Sequence, residues 1–302
     1  MDLSHSVSSG RNNFLPSHPD ANAFEAESGR GPGCDIVRGV EMSVPAAVAH
    51  GGAGPGPDRQ YNVELALNIA STILESGGSA IEAAVEACVA LEDDPVFNAG
   101  TGGVFRNDGS VSLDASIQTS DGRIGFVIGM EDTPNPIRVA RDLLDEDING
   151  LAGNGARLWA DERGHSRARV EGRPPRGDEG DTVGVIARDS QGLLACATST
   201  GGTSHRPAGR VGDVPLPGSG FWADERAAVA ATGVGEAITT SLLSYRAHDR
   251  FLRSSSDLQA SMEWSISELI ETGVSVGLIG LGVEGEGVGT SNTDMPWAAW
   301  LG

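Results

Sequence analysis

The chain has 302 residues, 39% of them hydrophobic and 43 of them glycine, which is enough to bury a substantial core and is the composition of a turn-rich globular protein. No stretch approaches the roughly 20 apolar residues of a membrane helix, and the N-terminus lacks the compact apolar run of a secretory signal; a cytoplasmic protein without a membrane partner is expected. Forty-two acidic residues against 21 basic ones leave a formal charge of −21, which disfavours a nucleic-acid partner because no basic patch is available.

Residues 1–41 are polar and weakly periodic, punctuated by Gly, Pro, Ser and Asn. They read either as a disordered tail or as a misassigned start, with Met42 the physiological one. A strand-like run, Ser43 to Ala49, leads into His50-Gly-Gly-Ala-Gly54. Two helices follow. In the first, Ala66, Ile69, Ala70 and Ile73 define the inner face, and Gly77-Gly78 ends it. The second opens on a Ser79–Glu82 capping box, with Ile81, Ala84, Val85, Cys88 and Val89 as its apolar face. A loop from Leu91 to Gly103 precedes short strands around 111–117 and 123–130, then helices near 135–145 and 153–162.

Residues 163–181 are dominated by Arg, Gly, Glu and Pro and read as a solvated linker. Thr182 to Arg188 reads as a strand, and Leu193 to Ser199 as its hairpin partner across a turn at 189–192. A strand near 226–231, helices near 235–252 and 256–271, and strands near 274–281 and 297–301 complete the chain. Leu258, Met262, Ile266 and Leu269 mark the inner face of the last helix. Hairpin-like strand pairs flanked by helix pairs predict a layered α+β sandwich with antiparallel sheets, not a doubly wound parallel fold.

Every basic residue is Arg; Lys is absent. An acidic surface of this kind stays soluble by self-repulsion, which salt screens, and predicts adaptation to a salty cytoplasm. The three cysteines, Cys34, Cys88 and Cys196, show no metal-ligand spacing. Cys88 and Cys196 sit in apolar contexts and read as small buried hydrophobes.

The familiar catalytic signatures fail. A P-loop needs Gly-Lys, no Gly-x-Ser-x-Gly stands in a strand–turn–helix setting, and the glycine clusters at 51–56 and 100–103 do not match a dinucleotide fingerprint. Three of the six histidines (His5, His18, His165) fall in tail or linker segments, leaving little material for a Ser-His-Asp triad. Threonines in a glycine-rich setting remain. A Thr hydroxyl needs a base, and the α-amine of a Thr exposed by chain cleavage has a reference pKa of about 7.7–8.0, so it serves near neutrality. Thr182 lies where such a cut is feasible, at the junction of linker and strand.

Asp181-Thr-Val-Gly184, Ala197-Thr-Ser-Thr-Gly-Gly202, Gly209-Arg-Val-Gly-Asp213 and Thr232-Gly-Val-Gly-Glu236 together resemble the plant-type L-asparaginase/isoaspartyl peptidase family of N-terminal-nucleophile hydrolases. His50-Gly-Gly-Ala-Gly54, Phe97-Asn-Ala-Gly100, Leu113-Asp-Ala115 and Ser291-Asn-Thr293 resemble further family segments, so the likeness covers residues 45–302. The resemblance implies a four-layer αββα sandwich, with residues 42–302 as one domain cut between Asp181 and Thr182 into an α chain, 42–181, and a β chain, 182–302. It implies that Thr182 is the nucleophile, that Thr200 tunes it, and that Thr232 and the Gly233 N–H stabilise the oxyanion. Arg210 would grip the substrate α-carboxylate and Asp213 its α-ammonium, with Gly235 and Asn98 also at the substrate. A structural Na⁺ held by Leu91, Glu92, Phe97 and Ala99 is implied, with no cofactor required for the chemistry, and so is a homodimer of αβ units.

Each residue also has a plainer reading: Arg210 and Asp213 as a surface ion pair, Thr200 and Thr232 as strand and turn residues, Glu92 to Asp94 as a solvated helix end, His50 as a structural hydrogen-bonder, His205 as a loop residue near the site mouth. The expected reaction is hydrolysis of the side-chain amide of asparagine or of β-aspartyl dipeptides. Asp181 before the nucleophile instead leans toward the glycosylasparaginase branch, and an unprocessed binding relative is the third alternative.

Overall fold

The computed structural model describes residues 42–176, 182–255 and 257–302. The expectations for 1–41, for the end of the linker and for Asp181 lie outside the described residues. Eleven strands and seven α-helices are formed among the described residues. In the first half they are β1 (Ala46–His50), α1 (Gln60–Glu75), α2 (Ala80–Asp93), β2 (Leu113–Thr119), β3 (Ile124–Met130), α3 (Pro136–Asp142), β4 (Gly150–Ala152) and α4 (Gly153–Glu162). In the second half they are β5 (Thr182–Arg188), β6 (Leu194–Thr200), β7 (Phe221–Ala223), β8 (Ala227–Gly233), α5 (Gly235–Ser241), α6 (Leu243–Arg253), α7 (Leu258–Leu269), β9 (Val276–Gly282), β10 (Val288–Ser291) and β11 (Trp297–Leu301).

The strands make a mixed α+β fold with two sheets. The larger has the order β11-β1-β5-β6-β2-β3-β4 and is antiparallel except for the β3–β4 pair; the smaller has the order β10-β9-β8-β7. Interior strands are continuous small and branched runs, as a strand buried on both faces requires: all seven residues of β5, β6 and β8 are buried. Alternation divides each strand between two cores. Val183, Val185 and Ala187 join Ala195, Ala197, Ala115 and Ile117 under α1, α2 and α3. Ile186, Leu194 and Cys196 meet Ala228, Ala230, Ile279 and Leu281 of the smaller sheet. The far face of that sheet is covered by α6 and α7 through Leu243, Ala247, Met262 and Ile266. Each fully buried Val, Leu or Ile in these layers contributes about 1.5–3 kcal/mol.

Thr182 opens β5, and the strand's other end is clamped. Arg188, with no exposed surface, donates from Nε to the Val44 carbonyl (2.8 Å), from Nη1 to Gly282 (2.6 Å) and from Nη2 to Gly285 (2.8 Å). A buried guanidinium spread over three carbonyls ties β5 to both sheets, and burial lowers its pKa.

Several sequence expectations are corrected. The inner face of α1 is Val63, Ala66, Leu67, Ala70 and Leu74, while Ile69 is exposed. Ala66 and Ala70 belong to two overlapping helical stripes, and packing under β1 selects the one that holds Leu67. The capping interaction of α2 forms, Glu82 N–H donating to Ser79 Oγ at 3.1 Å, but the helix runs on to Asp93, so Leu91 and Glu92 lie in its last turn instead of in a loop. Glu92 is wholly buried, not a solvated end, because its carboxylate accepts from Ser199 Oγ (2.6 Å) and Ile137 N–H (3.2 Å). The helix expected over 235–252 is two, broken where Leu242 adopts φ +50°. The described part of the linker, 163–176, is mostly exposed and carries no helix or strand, although two contacts tie it to the domain: Arg157 of α4 donates to the His165 carbonyl (3.0 Å), and Arg173 bridges to Val104. Among the described residues no helix is long and apolar enough to cross a membrane.

Candidate active site

Strand alternation gathers the threonines. On β5 the odd-numbered residues face the helices, so Thr182, Gly184 and Ile186 face the smaller sheet. Thr182 is paired directly with Thr200 of β6, and Thr200 directly with Asp114 of β2. Cross-strand partners share a face with Cβ atoms about 4.5–5.5 Å apart, so the three side chains form one row along the end of the inter-sheet space. On β8, Ala228 and Ala230 face the larger sheet, and Thr232 follows in the same phase. It meets Thr182 across the gap: Thr182 N–H donates to Thr232 Oγ1 at 3.4 Å, and Ala53 N–H reaches the same oxygen at 3.3 Å. Thr182 is only 3% exposed.

Gly233 completes this corner. Its φ of +125° and the Ser275 carbonyl, into which a Cβ would drive, both demand glycine. It lines a cleft of about 650 Å³ whose walls include Ala53, Pro55, Ser204, His205 and Glu236. His205 holds φ +58° at this mouth.

The turn after β6 is shaped by Asn98. Its Nδ2 donates to the Gly202 carbonyl (2.5 Å), its Oδ1 accepts from Val104 N–H (3.0 Å), and its carbonyl accepts from Gly201 N–H (2.8 Å). Gly202 N–H in turn donates to Thr200 Oγ1 at 2.9 Å. Asn98 is fully buried with both ends of its amide engaged, and so supports the turn that carries Thr200.

Arg210 and Asp213 come from the long loop between β6 and β7. Arg210 is forked onto Glu236 of α5, Nε to Oε1 at 3.2 Å and Nη2 to Oε2 at 2.9 Å. Asp213 is buried, its Oδ2 has no partner among the described residues, and burial pushes its pKa up to about 7 against the pull of Arg210. Gly235 lies between them: a Cβ there would stand 2.7 Å from Asp213 Oδ1 and 2.8 Å from Arg210 Nη2. Arg210 is therefore paired as the plainer reading supposed, but with Glu236 instead of Asp213. His50 is wholly buried, accepts from Gly52 N–H through Nδ1 (3.2 Å), and is held neutral, its pKa lowered to about 3 by burial and by Arg59. Its ring also bonds the backbone of Thr182, which pulls the pKa the other way.

In the segment expected to hold Na⁺, carbonyls press closely on two glycines. A Cβ on Gly100 would stand 2.5 Å from the oxygens of both Glu92 and Pro134, and one on Gly102 would collide with that of Phe97. Leu91 and Glu92 belong to the last turn of α2, whose carbonyls lack intrahelical donors. Glu92 Oε1 accepts from both Ser199 and Ile137, whereas its buried Oε2 makes no such hydrogen bond among the described residues. No cluster of three or more His, Cys, Asp or Glu suited to a metal is found among the described residues.

The sequence alone assigns no role to Glu236, Asp114 or Arg106. Their signal is spatial: Glu236 lies 26 residues from Arg210.

A family model described as asparaginase matches residues 36–172 and 166–301. The chain is 35% identical to a plant-type L-asparaginase of Pyrobaculum calidifontis, covering 84% of this chain and 95% of the relative. It is 36% identical to the isoaspartyl peptidase/L-asparaginase of Homo sapiens (84% and 92%) and 32% identical to the isoaspartyl peptidase of Escherichia coli (83% and 91%). With these matches spanning nearly all of the described structure, the chain belongs to the asparaginase family that includes the plant-type L-asparaginases and isoaspartyl peptidases.

Proposed function

We propose that the chain is an autocatalytically cleaved amidohydrolase that hydrolyses the side-chain amide of L-asparagine and the isopeptide bond of β-aspartyl dipeptides. The observation that carries this reading is the corner where Thr182, Thr200 and Thr232 converge beside Gly233, with Arg210 and Asp213 on the adjoining loop. In processing, Thr182 Oγ attacks the Asp181 carbonyl carbon and the 181–182 C–N bond breaks. Water then hydrolyses the resulting ester, leaving a carboxylate on Asp181 and a free amine on Thr182.

In turnover the freed amine takes the hydroxyl proton as Thr182 Oγ attacks the substrate's side-chain carbonyl. Thr232 Oγ1 and Gly233 N–H stabilise the oxyanion, and fixed donors of this kind contribute about 3–4 kcal/mol each. The proton passes to the leaving ammonia or amine, and water releases aspartate from the ester. Thr200, opposite the nucleophile, orients it. Arg210 takes the α-carboxylate and Asp213 the α-ammonium.

The fold reading is the αββα sandwich of N-terminal-nucleophile hydrolases, supported by the three cores that separate helices, sheets and helices. The carbonyls of Leu91, Glu92, Phe97 and Ala99 are the proposed Na⁺ ligands, a hard cation suiting oxygen donors, with a structural role only. The working form is a dimer of αβ units in a salt-rich cytoplasm. Incubating the cleaved protein with asparagine, a β-aspartyl dipeptide and N4-glycosylasparagine tests the activity. Release of aspartate from the first two supports it; turnover of the glycosylated compound alone moves the chain to that branch, and an inert single chain makes it a binding relative.

A further inference from the structure

Asp114 faces the same inter-sheet space as Thr182 and Thr200, two strands from the nucleophile and in register with it. It sits at a β-bulge: Leu113 pairs with Met130 but Ala115 with Val127, and Gly129 in the extra step adopts φ +62°. Bulges beside active sites re-aim side chains. Here the bulge turns Gly129 N–H onto Asp114 Oδ1 at 2.7 Å, which fixes one carboxylate oxygen. The other, Oδ2, has no partner among the described residues, although Asp114 is only 1% exposed.

The substrate loop is fastened over the same strand. Ser116 Oγ, next along this face of β2, donates to the Val214 carbonyl at 2.7 Å, which sets Asp213 above the row. Asp213 Oδ2 is likewise buried and unpartnered. Arg106, 3% exposed, is held to Ser112 through Nε and Nη2 (3.2 and 3.1 Å) and attracts Asp114 without touching it. Gly212 N–H also bonds the Asp114 carboxylate, and Asp114 in turn raises the pKa of the adjoining Asp213, so the two buried carboxyls are neighbours, each with an Oδ2 that makes no hydrogen bond among the described residues. An unmet buried acceptor costs about 1–3 kcal/mol, and an arriving ammonium, with three donors, meets both.

We propose that Asp114 is a second anionic residue of the substrate-ammonium subsite, sharing with Asp213 the α-ammonium of the aspartyl moiety. The assignment rests on the aspartyl-amide reading above and adds to it that recognition of the ammonium is divided between a strand and a loop. Burial raises both carboxyls, Asp114 to about 6 and Asp213 to about 7, against the pull of the Arg106 and Arg210 guanidinium groups on Asp114 and of Arg210 on Asp213.

The test compares asparagine with succinamate, the same amide and α-carboxylate without the α-ammonium, by kcat/KM of the cleaved protein. Asp114→Asn, which keeps an oxygen for Gly129, lowers the preference for asparagine by about 10–100-fold, the worth of a hydrogen bond to a charged group. Asp213→Asn leaves a residual preference of about tenfold, because one carboxylate remains, and the double variant brings the ratio near one. A merely structural role for Asp114 would lower both substrates equally, and that result overturns the proposal. So does an Asp213→Asn enzyme whose preference has already fallen to one, an arm that decides the matter even if Asp114→Asn does not fold. Cleaved wild-type protein that hydrolyses neither compound overturns the aspartyl-amide reading instead, and this assignment with it.

Discussion

The two halves of the candidate site are built differently. The bond-making threonines Thr182, Thr200 and Thr232 stand on strands, at positions set by register and by the two-residue alternation of buried β-structure. Arg210 and Asp213 hang from a loop between β6 and β7, and their placement depends on the Arg210–Glu236 fork, the glycine at 235 and the Ser116–Val214 hydrogen bond. Bond-making groups on a rigid frame lose little entropy on reaching the transition state, whereas recognition groups on a loop are set by a few polar contacts. Damage to the first half should therefore appear in kcat, and damage to the second in KM.

The largest effect is expected at the nucleophile. Thr182→Ala should remain one chain and lose activity by at least about 10³-fold, as removal of an activated nucleophile does; a denaturing gel and an ammonia-release assay check both. Thr232→Val keeps the β-branched shape but deletes a proposed oxyanion donor, and should lower kcat by about 10²–10³ with KM little changed. Arg210→Gln should act on the other half, raising KM by about 100-fold through loss of a charge-assisted fork. Glu236→Gln is milder: Arg210 keeps its charge but loses its orientation, and KM should rise about tenfold with kcat retained. Equal losses of kcat from Thr232→Val and Glu236→Gln would erase the distinction between frame and loop.

The smallest predicted effect is on pH. The Asp213 pKa is raised to about 7 by burial, so its carboxylate is present above that value and protonated below it. Protonation of the freed Thr182 amine lowers kcat/KM for both substrates below about pH 8, so the Asp213 signal is the asparagine-to-succinamate ratio, which should fall a further tenfold per unit below about pH 7. Stability runs the other way. A carboxyl raised above its ordinary value holds more protons folded than unfolded, so between about pH 4 and 7 the fold gains stability as pH falls and loses it as pH rises through 7. A thermal melt that rises from pH 8 to pH 5 is the check.

How much of this was legible in the sequence follows the same division. The strand opening at Thr182, its hairpin partner, and the inner face Leu258–Met262–Ile266 were readable because buried period-2 and period-3.6 patterns are local. Ile69 was misplaced because two helical stripes share Ala66 and Ala70, and local periodicity cannot rank them. β4, β7 and β10 are not legible because they span only three or four residues at sheet edges, too short to show a period even where, as in β7, the residues favour strands. Glu92 read as a solvated end because its partners, Ser199 and Ile137, lie 107 and 45 residues away. Glu236 and Asp114 were silent for the same reason. A charge that is paired or buried through long-range contacts leaves no mark on its own neighbours in the chain.

Intact-mass analysis with N-terminal sequencing of the purified, active protein tests the central claim most directly. The proposed chemistry requires two polypeptides, the second beginning Thr182-Val183-Gly184, with no cut in the Thr182→Ala variant. Full activity in a chain still joined through residue 182 would leave the nucleophile without its base and contradict the mechanism.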